Sequence, residues 1–444
     1  MARASNWFGR WHDHQRIFAI ALPMMISNIA APMLGLIDTA IIGHLPDAIY
    51  LSAVALGAMV LSFIYLLAVF LRMSTTAVIA HAFGAGDIRT QQKHFIHGLS
   101  FAIAIGLFII LLSPLLPSTL SLLFSVQGEL LALTADYIQI RVWAAPAALI
   151  NLVVLGVLLG RQEAKSAMLL VIFTNLVNVI ADIILIIGLG MNVRGAAWAS
   201  FGAEWATALI GLILVSKHLQ INQFPKLKWQ GLTLLARMNG DIFVRSLALQ
   251  LCMVMMTGYA SYYGTTVVAA NAVLMQFLVL ISLGLDGIAY SVEALIGQAK
   301  GQNSRAKIQR WYRLCLTWSI LFAMIYSLVF WGFGTHIIAM ITNIPEVITN
   351  ASTYLPWLIL LPLLAHWSYF FDGVFIGLGA SKAMRNTMLI AALGVFLPVW
   401  AVTNWFTDLE NHGLWLALSA FMAARGISQW IWLRQHPESI APAA

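Results

Sequence analysis

Charge is what this sequence most lacks. Asp, Glu, Lys and Arg make up 9% of its 444 residues, against roughly 25% in an ordinary soluble domain, and mean hydropathy is +0.87. A water-soluble globular fold is excluded. Cysteine is nearly missing too. Cys252 and Cys315 are the whole complement, so neither a disulfide framework nor a thiolate metal cluster is expected. The phosphate-loop spacing Gly-x-x-x-x-Gly-Lys-Ser/Thr is absent: Gly377-Leu378-Gly379 ahead of Lys382 does not match it. The eleven histidines show no ligand spacing. No nucleophile–base pair points to an enzyme, and no cofactor is expected. The apolar residues do not alternate at every second position, which excludes a membrane β-barrel.

What is present is a series of apolar runs long enough to cross a hydrocarbon core about 30 Å thick. Twelve are read: 17–43, 51–79, 95–115, 131–159, 168–189, 195–216, 241–263, 266–297, 312–335, 353–378, 386–406 and 413–433. The first is too long for a signal-peptide core. The pattern predicts an all-α integral membrane protein of twelve transmembrane helices.

The runs form two copies of one unit at a constant offset of 217 residues. Tyr137 maps to Tyr354, Gly156 to Gly373, Gly160 to Gly377 and Lys165 to Lys382. Ala53 and Ala55 map to Ala270 and Ala272, and residues 79–84 to residues 296–301. Duplication in a membrane protein points to two bundles and alternating access. The expected division is a cytoplasmic tail (1–16), a six-helix lobe (17–216), a cytoplasmic amphipathic linker (217–240), a second six-helix lobe (241–434) and a tail (435–444).

The net charge of +7 is distributed as a membrane protein's, not a nucleic-acid binder's. Basic residues gather on one side: Arg3, Arg10 and Arg16; Arg89 and Lys93; Arg161 and Lys165; Lys217 to Arg237; Lys300 to Arg313; Lys382 and Arg385; Arg434. The opposite loops hold Asp47, Glu129, Glu346, Asp408 and Glu410, with Arg194 alone as a basic residue. This positive-inside bias predicts both termini in the cytoplasm of a bacterial inner membrane. Six spans per copy make the repeat parallel. The linker's lysines are read as partners of anionic lipid headgroups.

An ionisable side chain inside the bilayer is costly and needs a reason. Six acids qualify: Asp38, Asp182, Glu204, Asp286, Glu293 and Asp372. The offset sends Asp38 to Met255, Asp182 to Val399, Asp372 to Leu155 and Asp286 to Val69. The scaffold repeats; the charge does not. In the fifth span Thr174, Asn178 and Asp182 fall four apart on one helix face, with Asn175 beside them. The sixth adds Ser200, Glu204 and Thr207, the fourth Asn151 and the first Asp38. These residues are expected to form one hydrated cluster that loads a proton or coordinates sodium. Pro23 offers a bend in the first helix. Asp372, Asp286 and Glu293 are candidates for a second cation or substrate site, or for pairing with Arg72 or Arg425. Arg72, Arg141 and Arg425 are read as the arginines lying within spans. That count speaks against the alternative of a lipid-intermediate flippase, whose anionic cargo needs a cationic lining.

These residues resemble the MATE (multidrug and toxic compound extrusion) family, and its DinF branch in particular. The resemblance rests on Leu22-Pro23-Met24, on the run from Gly35 through Asp38 and Thr39 to Gly43-His44-Leu45, and on His81-Ala82-x-Gly84 repeated as Gln298-Ala299-x-Gly301. It covers nearly the whole chain. It implies a V-shaped pair of six-helix lobes, working as a monomer, that exports amphipathic or cationic small molecules against protons or sodium. It also implies an N-lobe site at Asp38, Asn178, Asp182, Asn151 and Ser200, with sodium conceivable at Asp38, Asn178 and Asp182, and a helix bend at Pro23. Ser200 stands where some members carry threonine. Asp372 matches an acid of the NorM-like branch, whose seventh-helix glutamate has no counterpart here beyond Asp241.

Overall fold

In hydrocarbon only the segment itself can satisfy its backbone N–H and C=O groups, so apolar runs of this length fold as helices. The computed structural model describes residues 10–437 apart from 46, 125 and 222–228. Among the described residues every regular element is helical. The first half holds α1 (Trp11–Gly43), α2 (Ala48–Gly84), α3 (Ile88–Leu122), α4 (Gly128–Gly160), α5 (Ala164–Gly188) and α6 (Asn192–His218). The second holds α7 (Gly231–Tyr263), α8 (Thr265–Gly301), α9 (Arg305–Ile341), α10 (Pro345–Leu378) and α11 (Ser381–Phe406), then α12 (Glu410–Gln435). The first eleven are long and apolar enough to cross a membrane. The twelfth is more polar, yet its 26 residues span about 39 Å at the helical rise, beyond the thickness of the hydrocarbon core.

Asp residues start two of the helices. Asp47 Oδ1 accepts from the Ile49 amide at 2.9 Å ahead of α2. Asp87 Oδ1 accepts from the Thr90 amide at 3.0 Å ahead of α3. These side chains satisfy donors that the first turn of a helix leaves open.

The duplication is visible in the packing. α2 and α8 begin 217 residues apart and end 217 apart, and α3 and α9, α4 and α10, α5 and α11 begin at the same offset. The glycine crossings repeat with them. A Cβ on Gly156 would lie 2.7 Å from the Arg72 carbonyl oxygen and 2.8 Å from Thr75 Cβ. On Gly373 it would lie 2.6 Å from the Ala289 carbonyl oxygen and 2.9 Å from Val292 Cβ. Ala289 and Val292 are the repeat mates of Arg72 and Thr75. One turn on, Gly160 meets Thr76 and Ile79 as Gly377 meets Glu293 and Ile296. The same close helix crossing is built twice.

By its internal contacts the chain divides into two compact units. One contains residues up to Met25 and from Gly240 onward; the other is Ile26–Asn239. Helix α1 therefore contributes to both, and the division falls two residues after Pro23. The helix runs unbroken through Pro23 and Pro32. The second-half unit buries Phe277, Phe330, Phe396, Trp415 and Phe421. In the first-half unit Ile42, Leu61, Leu120, Ile138 and Ile186 are buried. Large apolar side chains also face outward, among them Leu107, Phe108 and Leu111 on α3 and Leu328, Trp331 and Phe333 on α9, as a lipid-facing surface requires. The centre of the expected linker and the outer parts of both expected tails lie outside the described residues. From Trp11 onward the expected N-terminal tail is helical.

Candidate cation-coupling site

Asn178 and Asp182 are 3% and 2% exposed, so the polar stripe of α5 points into its unit. Asp38 of α1 reaches the same place. The carboxyl groups of Asp38 and Asp182 both lie within 3.2 Å of one end of the Asn178 side-chain amide. Carboxylates only accept, so the Asn178 carboxamide turns its nitrogen toward them. It donates to Asp182 Oδ2 at 3.0 Å and to Asp38 Oδ1 at 3.2 Å. Its oxygen then accepts from the Ser200 amide at 3.1 Å and the Ser200 hydroxyl at 3.0 Å. One amide thus holds both acids and fastens them to α6. In the opposite orientation the nitrogen donates to Ser200 Oγ at 3.0 Å and the amide oxygen faces the acids. Asp182 Oδ1 is buried and receives no hydrogen bond from a protein donor.

Two further residues of the expected cluster form a second group. Asn151 on α4 donates to Glu204 Oε2 at 2.7 Å and to the Glu204 carbonyl at 3.1 Å. Arg141 on α4 stands 3.7 Å from Glu204 Oε1. It also lies 5.9 Å from the Tyr65 ring centre. Glu204 therefore has a cation of its own, whereas the Asp38–Asp182 pair has an amide. Thr174 and Thr207 meet at 2.8 Å, and Asn175 donates to the Ala30 carbonyl at 2.8 Å, tying α5 to α1. Among the described residues no group of three or more His, Cys, Asp and Glu side chains is arranged to hold a metal.

In the other unit Asp372 is enclosed by donors. Arg425 reaches its Oδ2 at 2.8 Å, Gln429 its Oδ1 at 3.0 Å, and Arg245 hydrogen-bonds Oδ2 as well. Arg245 is 6% exposed and lies inside α7. The expected set of arginines within spans, Arg72, Arg141 and Arg425, is therefore corrected: it omits Arg245, and Arg313 at the start of the run 312–335. The sequence signal was available: a lone arginine in an apolar run needs an acid. Asp286 lies on α8. Glu293, seven residues on and roughly on the same face of α8, is buried, and its backbone carbonyl packs on Gly377.

The MatE family model matches residues 23–184 and 242–402, one block for each copy of the repeat. The chain belongs to the MatE family. It is 40% identical over 432 residues to the DNA damage-inducible protein F of Escherichia coli, covering 96% of this chain and 92% of that one. The multidrug export protein MepA of Staphylococcus aureus is 24% identical over 398 residues, 86% of each. In fold, this MatE protein is similar to an outward-facing multidrug resistance MATE family transporter, with a TM-score of 0.85 at 21% identity over 97% of both chains. It is also similar to a MOP superfamily transporter from Pyrococcus furiosus, with a TM-score of 0.84 at 20% identity. MatE proteins are transporters, and this one is not an enzyme.

Proposed function

We propose that this MatE protein is an antiporter of a bacterial inner membrane, with both termini cytoplasmic, that exports amphipathic or cationic small molecules in exchange for protons. The convergence of the Asp38 and Asp182 carboxyls on the Asn178 amide carries this reading. Two carboxylates crowded in a low-dielectric site resist ionising together, so one proton between them is the natural occupant. Sodium is the rival occupant. It needs oxygen ligands, and the Asn178 oxygen joins that set only when the amide flips, so that its nitrogen instead of its oxygen meets the Ser200 hydroxyl. The amide orientation is then a local record of what the acids hold. The names of MepA and of the outward-facing structure, both multidrug proteins, support the export reading.

The cycle follows alternating access. Outward-facing, the Asp38–Asp182 pair takes up the proton. α1 bends near Pro23, where its membership passes from one compact unit to the other, and the substrate leaves. The inward-facing form releases the proton. Lipid surrounds the carrier, and no nucleic acid or partner chain is needed. A lipid-intermediate flippase is the second reading, because Arg245 adds a cation to the second-half unit. Both Arg245 and Arg425 are bound to Asp372, however, which leaves the export reading ahead.

Purified protein in proteoliposomes, given a pH gradient and a sodium gradient separately, tests this. Export of a fluorescent cation driven by the pH gradient is expected. Export driven by sodium alone would replace the proton, and preferential movement of polyprenyl phosphates would favour the flippase.

A further inference from the structure

In the second-half unit, α10 and α12 leave a groove of about 470 Å³ between them. Its lining carries no charged residue and no hydroxyl, amide or carboxyl side chain. Gly426 keeps the α12 surface low there: a Cβ on it would lie 2.6 Å from Trp367 Cβ, so the two helices touch at that point. Phe371 is buried beside it, and its ring stacks with that of Trp367 at 5.9 Å between centres. Leu363 on α10, and Ile427 and Trp430 on α12, are exposed at the groove's edges. A surface of this kind takes hydrocarbon.

Length and charge define which hydrocarbon. The lining runs from Leu363 to Phe371 on α10 and from Ala423 to Trp430 on α12, about 12 Å and 10 Å at the helical rise. That fits within one leaflet, half of a core about 30 Å thick. A partner helix would need a face that crosses both leaflets. The two ends of the groove differ. Residues 355–363 of α10 and 414–423 of α12 contain no charged side chain. At the other end Arg434, one turn beyond Trp430, is exposed, and its guanidinium carbon lies 4.0 Å from the Trp430 ring centre. Lys382 and Arg385 follow α10 at this same end, the end that the positive-inside bias gives to the cytoplasm. An arginine held over an aromatic ring at headgroup level is a ready partner for phosphate oxygens. A tail one leaflet long with an anionic head fits both ends at once.

We propose that this groove is a binding site for an anionic phospholipid, with one acyl chain lying over Trp367, Phe371 and Gly426 and the phosphate on Arg434. The site uses none of the acids that carry the export reading, and its test does not depend on transport.

The test is native mass spectrometry of the full-length protein released from detergent, titrated with dioleoyl-phosphatidylglycerol or with dioleoyl-phosphatidylcholine. The first phosphatidylglycerol should bind about fivefold more tightly than the first phosphatidylcholine, the preference that one arginine at an anionic headgroup supplies. Arg434→Gln should remove that preference. Ala423→Trp, which fills the groove, should weaken the first phosphatidylglycerol at least tenfold. Lys307→Gln, an exposed lysine on the same side of the membrane and outside the lining, should leave it within twofold. Arg434→Gln keeps the test open should Ala423→Trp fail to fold. Equal affinity of the wild type for the two lipids would overturn the proposal. So would a first site undiminished in Arg434→Gln and Ala423→Trp. A dimer that forms without lipid and is lost in Ala423→Trp would overturn it too, by giving the groove to a second copy of the chain.

Discussion

The carboxyl groups of Asp38 and Asp182, 144 positions apart in the chain, converge on one end of the Asn178 side-chain amide, at 3.2 and 3.0 Å. Neither acid has a counterpart in the second copy of the repeat. The arrangement gives each nearby side chain a distinct and measurable task.

Asn178 is the clamp. Asn178→Leu removes both donors to the acids and the acceptor for Ser200. Each lost bond to a buried charge is worth about 1.5–3 kcal/mol. Export of a fluorescent cation should fall at least tenfold, while helix content by circular dichroism stays unchanged. Unaltered transport would show that the amide does not organise the acids.

The twin glycine crossings predict twin defects. Gly156→Ala and Gly373→Ala each drive a methyl to within 2.7 Å of a backbone oxygen, which costs about 1–3 kcal/mol by overpacking. Gly332→Ala has nothing within 4 Å and should be neutral or slightly stabilising. Thermal unfolding in detergent measures all three. Equal behaviour of the three would deny that the crossing is tight.

Asp372 is predicted to be structural. Removing it leaves the buried Arg245 and Arg425 without their shared acid, a loss of about 3–5 kcal/mol. Asp372→Ala should lower the unfolding temperature sharply, and adding Arg245→Met and Arg425→Met should recover much of it. Lost export with full thermal stability would instead make Asp372 a transport residue.

Asp87 gives a pH-dependent effect outside the membrane. The Thr90 hydroxyl and the Thr90 amide both hydrogen-bond its carboxylate and hold its pKa below the usual value. A depressed folded pKa means the cap is fully in place above the ordinary carboxylate range and is lost as pH falls through the lowered value. Asp87→Ala should cost about 1 kcal/mol at pH 7, read as a lower unfolding temperature. The gap from wild type should close in strong acid. A gap that is independent of pH would exclude the cap.

Much of this was legible in the sequence for a physical reason. Helix spacing puts Asn178 and Asp182 on one face, and buried charge is rare enough in a membrane segment to be noticed singly. The 217-residue offset pairs Gly156 with Gly373 and Gly160 with Gly377, and the packing shows why both are glycine: each sits at a close helix crossing. Two things were not legible. Sequence places Glu204 with Asp38 and Asp182, whereas the structure sets it on Asn151 and beside Arg141 of another helix; sequence spacing says nothing about which neighbour a side chain chooses across helices. Arg245 is visible as an arginine in an apolar run, but its acid is not, because Asp372 is 127 residues away.

The central claim is that the Asp38–Asp182 pair carries the ion that leaves when substrate binds. Proton release from lightly buffered, purified protein on adding a cationic substrate, followed with a pH-sensitive dye, tests it most directly. The wild type should release close to one proton per substrate bound, and Asp38→Asn and Asp182→Asn should release none while still binding. Undiminished release from the Asp38→Asn/Asp182→Asn double variant would contradict the account.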